Sequence, residues 1–231
     1  MKPAVVLPTY NEAENIRAMI EAVLAAHPAI TALVVDDNSP DGTARLVGDM
    51  AAANPRVQLL LRTEKRGRGY AGAAGFCRCL DLGFDPIIEM DADFSHDPAY
   101  LPQFLKEAET WDVVIGSRAV AGGGAVGRGA ARRLITWGAA LYLRAMLGVD
   151  VQDPTSGYRC FRRRVMEAVH PETLTSPGPG IVTEVLYRCR KFRIREIPIV
   201  FKDREQGRSK FGLKAMVESL KLAARLRFNG R

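Results

Sequence analysis

The chain is 231 residues long, 47% hydrophobic and 26% charged, a balance that excludes a disordered or low-complexity protein and supports one sizeable globular core. Lys and Arg outnumber Asp and Glu by 33 to 26, a net charge of +7. Residues 202–231 hold nine basic side chains against three acidic ones, so +6 of that charge belongs to the C-terminal segment rather than to the whole surface.

In chain order, short β-type runs alternate with longer helical patterns. Residues 4–7 form the first expected strand, and this run is too short for the ~7–15-residue apolar core of a signal peptide, so secretion is not expected. Residues 8–12 are a polar turn, and 12–26 read as a helix opened by a capping-box-like pair, Asn11 and Glu14. A strand at 33–35 leads into Asp36-Asp37-Asn38-Ser39-Pro40-Asp41-Gly42, which is turn chemistry, and a helix at 42–53. Strand 57–61 precedes a helix at 69–83, and strand 87–90 runs into Asp91-Ala92-Asp93-Phe94-Ser95-His96-Asp97-Pro98. Asp97 and Pro98 are N-cap and first-turn residues for a helix at 98–109. Strand 113–115 is followed by Gly116-Ser117-Arg118. Such alternation implies a parallel sheet covered by helices on both faces, with ligands bound outside the carboxyl ends of the strands.

The apolar run 134–143 stops at Arg144, short of the ~20 residues of a spanning helix. Near the C-terminus, Leu213, Met216, Val217, Leu220, Ala223 and Ala224 share one helical arc, with Lys210, Lys214, Lys221 and Arg225 beside it. That arrangement suits a helix lying on anionic lipid, and equally a helix packed on the domain with a solvated basic face. Cys77, Cys79, Cys160 and Cys189 match neither a CxxC spacing nor a disulfide framework, and are expected to be reduced and mostly buried.

The acidic clusters recur after strands rather than along helix backs, which points to a site. Asp91 and Asp93 offer hard oxygen ligands for Mg²⁺ or Mn²⁺ held together with substrate phosphates, and the same segment can also be a polar strand-to-helix turn. Gly67-Arg68-Gly69-Tyr70-Ala71-Gly72 is a literal GxGxxG, but residues 62–66 separate it from its strand, and that strand is the third. A dinucleotide-binding loop follows directly on a strand, usually the first, so these glycines fit better as a close backbone approach to a substrate phosphate or ribose.

Taken together, the strings VVLPTYNEAENI, VVDDNSPDGT, EMDADFSHDP, GSR, DPTSGYRCFRR and REQGRSKF resemble, in order and spacing, the inverting family-2 glycosyltransferases, most closely the polyprenol (dolichol) phosphate mannose synthases. The resemblance implies an α/β GT-A nucleotide-diphospho-sugar transferase fold, Rossmann-like with a mostly parallel sheet. It implies one domain over 1–231, with 201–231 as a basic loop and amphipathic helix. By matched position, Pro8, Tyr10, Glu12, Val35 and Asp37 would line the nucleotide pocket, and Asp91 and Ala92 would touch the nucleotide-sugar. Asp93 would bind the metal with the diphosphate, and Ser95, at a position that is Gln and a metal neighbour in some members, would be the second metal residue with a shorter side chain. Arg118, Arg204 and Lys210 complete the implied catalytic set, the last two on a loop that closes over phosphates.

The implied reaction moves mannose from GDP-mannose to a polyprenyl phosphate, with UDP-glucose or UDP-N-acetylglucosamine as other donors and a catalytically inactive nucleotide-sugar-binding protein as another role. A phosphate monoester is largely ionised at pH 7 and needs no strong general base, which agrees with three His that form no evident catalytic dyad. An anionic acceptor needs cations, and Arg128, Arg132 and Arg133 open the apolar helix along which a polyprenyl chain would lie; the same arginines also suit the exposed start of an ordinary buried helix. Asp153 would assist the acceptor or orient the sugar. The expected location is cytoplasmic, peripheral on the cytoplasmic face of a membrane with contact to anionic lipid. Nucleic acid is not expected as a partner, because Phe201, Phe211 and Phe228 interrupt the cations without any RNA-binding motif.

Overall fold

The computed structural model describes residues 1–126, 130–202 and 213–229, with the helical backbone alone at 130–134, 213–216 and 229. The first half of the chain forms β1 (Ala4–Thr9), α1 (Ile16–Ala26), β2 (Thr31–Asp36), α2 (Thr43–Ala53), β3 (Val57–Leu61), α3 (Arg68–Asp81), β4 (Ile87–Glu89), α4 (Leu101–Glu107) and β5 (Val113–Ser117). The second half adds β6 (Gly124–Val126), α5 (Ala130–Leu147), β7 (Arg159–Phe161), α6 (Arg163–Val169), α7 (Ile181–Cys189), β8 (Ile194–Pro198), β9 (Val200–Lys202) and α8 (Leu213–Asn229).

Seven strands make the main sheet in the order β3-β2-β1-β4-β7-β5-β8. All pairings are parallel except those of β7, which runs antiparallel to both β4 and β5. A second, two-stranded sheet pairs β6 with β9. The central strands are covered on both faces, which is why β1 and β2 read as continuous apolar runs rather than as alternating ones. Side chains still divide by parity. Val6, Leu33 and Val35 face a core layer with α3, α5, α6, α7 and α8. Val5, Leu7, Ala32 and Val34 face a second layer with α1, α2 and α4.

Two local expectations are corrected. α1 begins at Ile16 rather than at 12, and its first turn has no side-chain cap. Asn11 instead adopts a left-handed conformation (φ 59°) and donates its N–H to the Ser39 hydroxyl at 3.0 Å, so the polar tips after β1 and β2 are stitched together. The helix expected over 98–109 is a single 3₁₀ turn (Pro98–Tyr100) running into α4, with Asp97 accepting the Ala99 N–H at 2.9 Å as a cap.

α8 packs against α5 and α7, burying Ala223 and Leu226 while Lys221 and Arg225 stay in solvent. Of the two readings of this helix, its described residues realise the one packed on the domain. Among the described residues, α5 exposes an apolar arc of Ile135, Trp137 (66% exposed), Leu141 and Tyr142, and α8 also exposes Val217 and Phe228. Among the described residues, no helix is long and apolar enough to cross a membrane.

Candidate active site at the carboxyl ends of the strands

Parallel β1, β2, β4 and β5 all end on one edge, and antiparallel β7 enters from that edge, so residues 150–158 arrive there too. Side-chain bonds join these ends. Thr9 donates its hydroxyl to Asp36 at 2.8 Å, and Asp36 also accepts the N–H and hydroxyl of Ser39, at 2.8 and 2.6 Å. Asp36 is therefore spent on loop shape. Asp37 reaches α3, accepting the Gly67 N–H at 2.7 Å and pairing with Arg62. Glu12, also buried, donates its N–H to the Thr43 hydroxyl at 3.1 Å. Burial would raise the Asp41 pKa, but the Thr43 hydroxyl and the N–H groups of Ala13 and Thr43 bring it below the ordinary value. Tyr10 lies half-buried under the Arg66 guanidinium, 5.5 Å from its ring centre.

After β4, Asp93 accepts the N–H and hydroxyl of buried Ser95, at 3.1 and 2.6 Å. Asp91 accepts from Arg68, whose guanidinium also reaches Glu89. Burial opposes the Arg68 charge, yet the two carboxylates outweigh it and raise its pKa, while burial raises that of Glu89. His96 accepts the Asp91 N–H at Nδ1 (3.0 Å) and stacks on Tyr158 with ring centres 4.9 Å apart. Burial lowers the His96 pKa, so the ring is a neutral prop for Asp91. Ala92 is buried beside these groups.

After β5, Arg118 meets Asp153 through a two-pronged pair of 2.6 and 2.7 Å, and also reaches the Thr155 hydroxyl at 2.6 Å. Burial would raise the Asp153 pKa, but Arg118 holds it down to about 2. Glu196 on β8 fixes the same turn by accepting the N–H groups of Gln152 and Asp153, at 2.6 and 2.9 Å. Asp153 thus orients Arg118. Phe201 spans the two halves of the site, its ring meeting His96 edge-on at 5.7 Å and lying 5.4 Å from the Arg118 guanidinium. Arg159, wholly buried on β7, donates to the carbonyls of Val182 (2.6 Å) and Pro154 (2.8 Å), and burial lowers its pKa to about 10.

The GxGxxG glycines serve close packing. Gly69 donates its N–H to the Pro177 carbonyl at 3.0 Å, and a Cβ there would overlap the Ser176 carbonyl. Helix α3 also follows the edge strand β3 instead of the first strand, which removes the dinucleotide-loop topology.

The structure brings Pro8, Tyr10, Glu12, Asp37, Asp91, Ala92, Asp93, Ser95 and Arg118 to one edge. The Val35 side chain is instead wholly buried in the core on the α3 side of the sheet, so only its backbone stands near that edge. Arg128, Arg204 and Lys210, and the side chains of Arg132 and Arg133, lie outside the described residues. The sequence reading missed Arg62, Arg68, Glu89 and Glu196 as site-forming residues; the one signal was the basic composition of 62–68, between two acidic clusters.

Among the described residues, no group of three or more His, Cys, Asp or Glu side chains makes a self-sufficient metal cage. One carboxylate and a hydroxyl at a strand end fit instead a hard cation that completes its coordination with substrate phosphate oxygens.

Residues 4–169 match the family model described as glycosyl transferase family 2. The undecaprenyl-phosphate mannosyltransferase of Micrococcus luteus is 42% identical over 212 residues, spanning 91% of this chain and 87% of that one. The polyprenol monophosphomannose synthase of Mycolicibacterium smegmatis is 38% identical over 231 residues, spanning 98% and 87%. In fold, the chain is similar to the glucosyl-3-phosphoglycerate synthase of Mycobacterium tuberculosis solved with Mn²⁺ and UDP, with a TM-score of 0.72, 20% identity, and 99% and 80% of the two chains covered. Fold and sequence agree: this is a GT-A chain, and it belongs to glycosyl transferase family 2.

Proposed function

We propose that this enzyme transfers mannose from GDP-mannose to a polyprenyl phosphate, with inversion at the anomeric carbon, giving polyprenyl-phosphate mannose. The observation that carries the reading is the 42% identity, across 91% of the chain, to a protein named undecaprenyl-phosphate mannosyltransferase. The Asp91-Ala92-Asp93 segment at the end of β4 agrees with it.

The nucleotide lies over the ends of β1 and β2, along Pro8, Tyr10, Glu12 and Asp37. Asp93, beside Ser95, would hold Mg²⁺ or Mn²⁺ against the diphosphate, and that ion supplies neutralisation of the charge that builds as the nucleotide leaves. Arg118, held rigid by Asp153, adds a fixed positive charge at the same edge. Arg204 and Lys210 act on the leaving diphosphate. Arg128, Arg132 and Arg133 receive the acceptor phosphate, whose ionised oxygen attacks without a general base.

The test is transfer itself. Purified protein with labelled GDP-mannose, Mn²⁺ and a polyprenyl phosphate is expected to move label into the organic phase, and UDP-glucose or UDP-N-acetylglucosamine is not. Label from a UDP-sugar alone overturns the assigned donor, and no label from any donor overturns the reaction.

The reading includes peripheral binding on the cytoplasmic face of a membrane, supported by the exposed apolar arc of α5. Trp137→Ala is expected to weaken co-sedimentation with anionic liposomes about tenfold, the scale of withdrawing one large apolar side chain from lipid. Its melting temperature should match the wild type, because Trp137 is 66% exposed and packs little of the core. Unchanged co-sedimentation removes α5 as the lipid-facing element.

A further inference from the structure

Arg68 is the first residue of α3, where the helix dipole disfavours a cation. Something else must hold it there, and two carboxylates do. Its Nε and Nη2 both reach Asp91 Oδ1, at 3.2 and 2.9 Å, while Nη1 reaches Glu89 Oε1 at 3.1 Å. Glu89 is buried, so the guanidinium is anchored from below before it touches Asp91. From the other side, the 153–157 turn closes on it: a Cβ on Gly157 would sit 3.2 Å from Nη2. The fork is thereby fixed between the end of β4 and the turn that carries Asp153.

We propose that Arg68 is a positioning residue that holds the Asp91 carboxylate as an ion pair, turned to the hydroxyls of the donor sugar and withheld from the divalent cation that Asp93 takes. The proposal rests on the function proposed above and adds to it a reason why two carboxylates two residues apart do different work. A cation within ligand distance of Asp91 Oδ1 would lie about 5 Å from a fixed guanidinium charge, and that like-charge repulsion disfavours it. Asp93 accepts the N–H and hydroxyl of Ser95. Neutralised by Arg68, Asp91 remains a strong hydrogen-bond acceptor, which suits a sugar hydroxyl.

The test reads Mn²⁺ affinity in the presence of GDP, by electron paramagnetic resonance of free Mn²⁺, and needs no sugar transfer. Arg68→Leu is expected to bind Mn²⁺ about tenfold more tightly, on the scale of one ion pair's effect on a carboxylate, because Asp91 becomes available as a ligand. Adding Asp91→Asn to it should return the affinity to the wild-type value. Unchanged or weaker Mn²⁺ binding by folded Arg68→Leu overturns the proposal. Asp91→Asn alone keeps the shape of the site and serves if Arg68→Leu does not fold. It is expected to leave Mn²⁺ affinity within about twofold while raising the donor KM about tenfold. A tenfold loss of Mn²⁺ affinity in Asp91→Asn makes Asp91 a metal ligand and overturns the proposal. Failure of wild-type transfer with every donor would instead overturn the proposed function, and the Mn²⁺ measurements would still decide what Arg68 does to Asp91.

Discussion

Asp93→Asn is expected to lower sugar transfer by about a thousandfold or more while leaving the protein folded. Losing one preorganised electrostatic contact at developing charge costs ~10²–10³ in turnover, and losing a metal's stabilisation costs several kcal/mol more. The substitution is conservative for the fold because the Asn carbonyl oxygen can still accept the N–H and hydroxyl of Ser95, the bonds that shape this turn. Thermal unfolding should therefore move by no more than about 1 kcal/mol. Turnover measured across a Mn²⁺ titration checks the cause, since excess metal should recover little. Transfer within tenfold of wild type would remove Asp93 from the metal.

Arg118→Leu is expected to show the largest loss of stability, about 3–5 kcal/mol, because it strands the Asp153 carboxylate, only 5% exposed, without its cation. Urea unfolding measures it. The double variant Arg118→Leu with Asp153→Asn should recover most of the stability, since the uncompensated charge is gone, but none of the transfer activity if Arg118 serves the leaving group. The pair also sets an acid limit. Asp153 titrates at 3.8 ordinarily and at about 2 when folded, so the unfolded chain binds the proton first as pH falls. Its contribution of about 2 kcal/mol is fully present above pH ~4 and is lost between pH ~4 and ~2. Asp153→Asn should flatten stability over that window, and an unchanged slope would show that other carboxylates govern it.

Strands buried on both faces were the legible part of the fold. β1, β2, β4 and β5 each carry an unbroken apolar stretch (residues 4–7, 32–35, 87–88 and 113–115) that gives way to polar residues at the carboxyl end of the strand. β7 was not legible: its three residues include Arg159, whose burial depends on carbonyls supplied by Val182 and Pro154. Nor was β8, whose Arg195 and Glu196 break the apolar pattern at the edge of the sheet. The site divides in the same way. Clustered acids announce themselves by position, but the groups that restrain them come from other elements. Arg68 is 23 residues from Asp91 in the chain, and Glu196 lies 43 from Asp153. Asn11 and Glu14 show the converse error. A capping pattern was present, but the competing bond from Asn11 to Ser39 and the left-handed backbone at Asn11 took the residue out of the helix.

The reversed strand β7 also imposes an order on synthesis. β1 to β4 can assemble as β3-β2-β1-β4 while the chain emerges, each strand finding a neighbour within the same half of the sequence. β5 has no such option, for its hydrogen-bonded neighbours are β7 and β8, both made later. Until about residue 161 has left the ribosome, β4 presents a bare edge and β5 is an unpaired apolar segment, the kind of strand that pairs with other chains. The nascent first half is thus the stage most exposed to aggregation, and a chain cut before β7 would retain the nucleotide-side loops but lack the strand that joins them to Arg118.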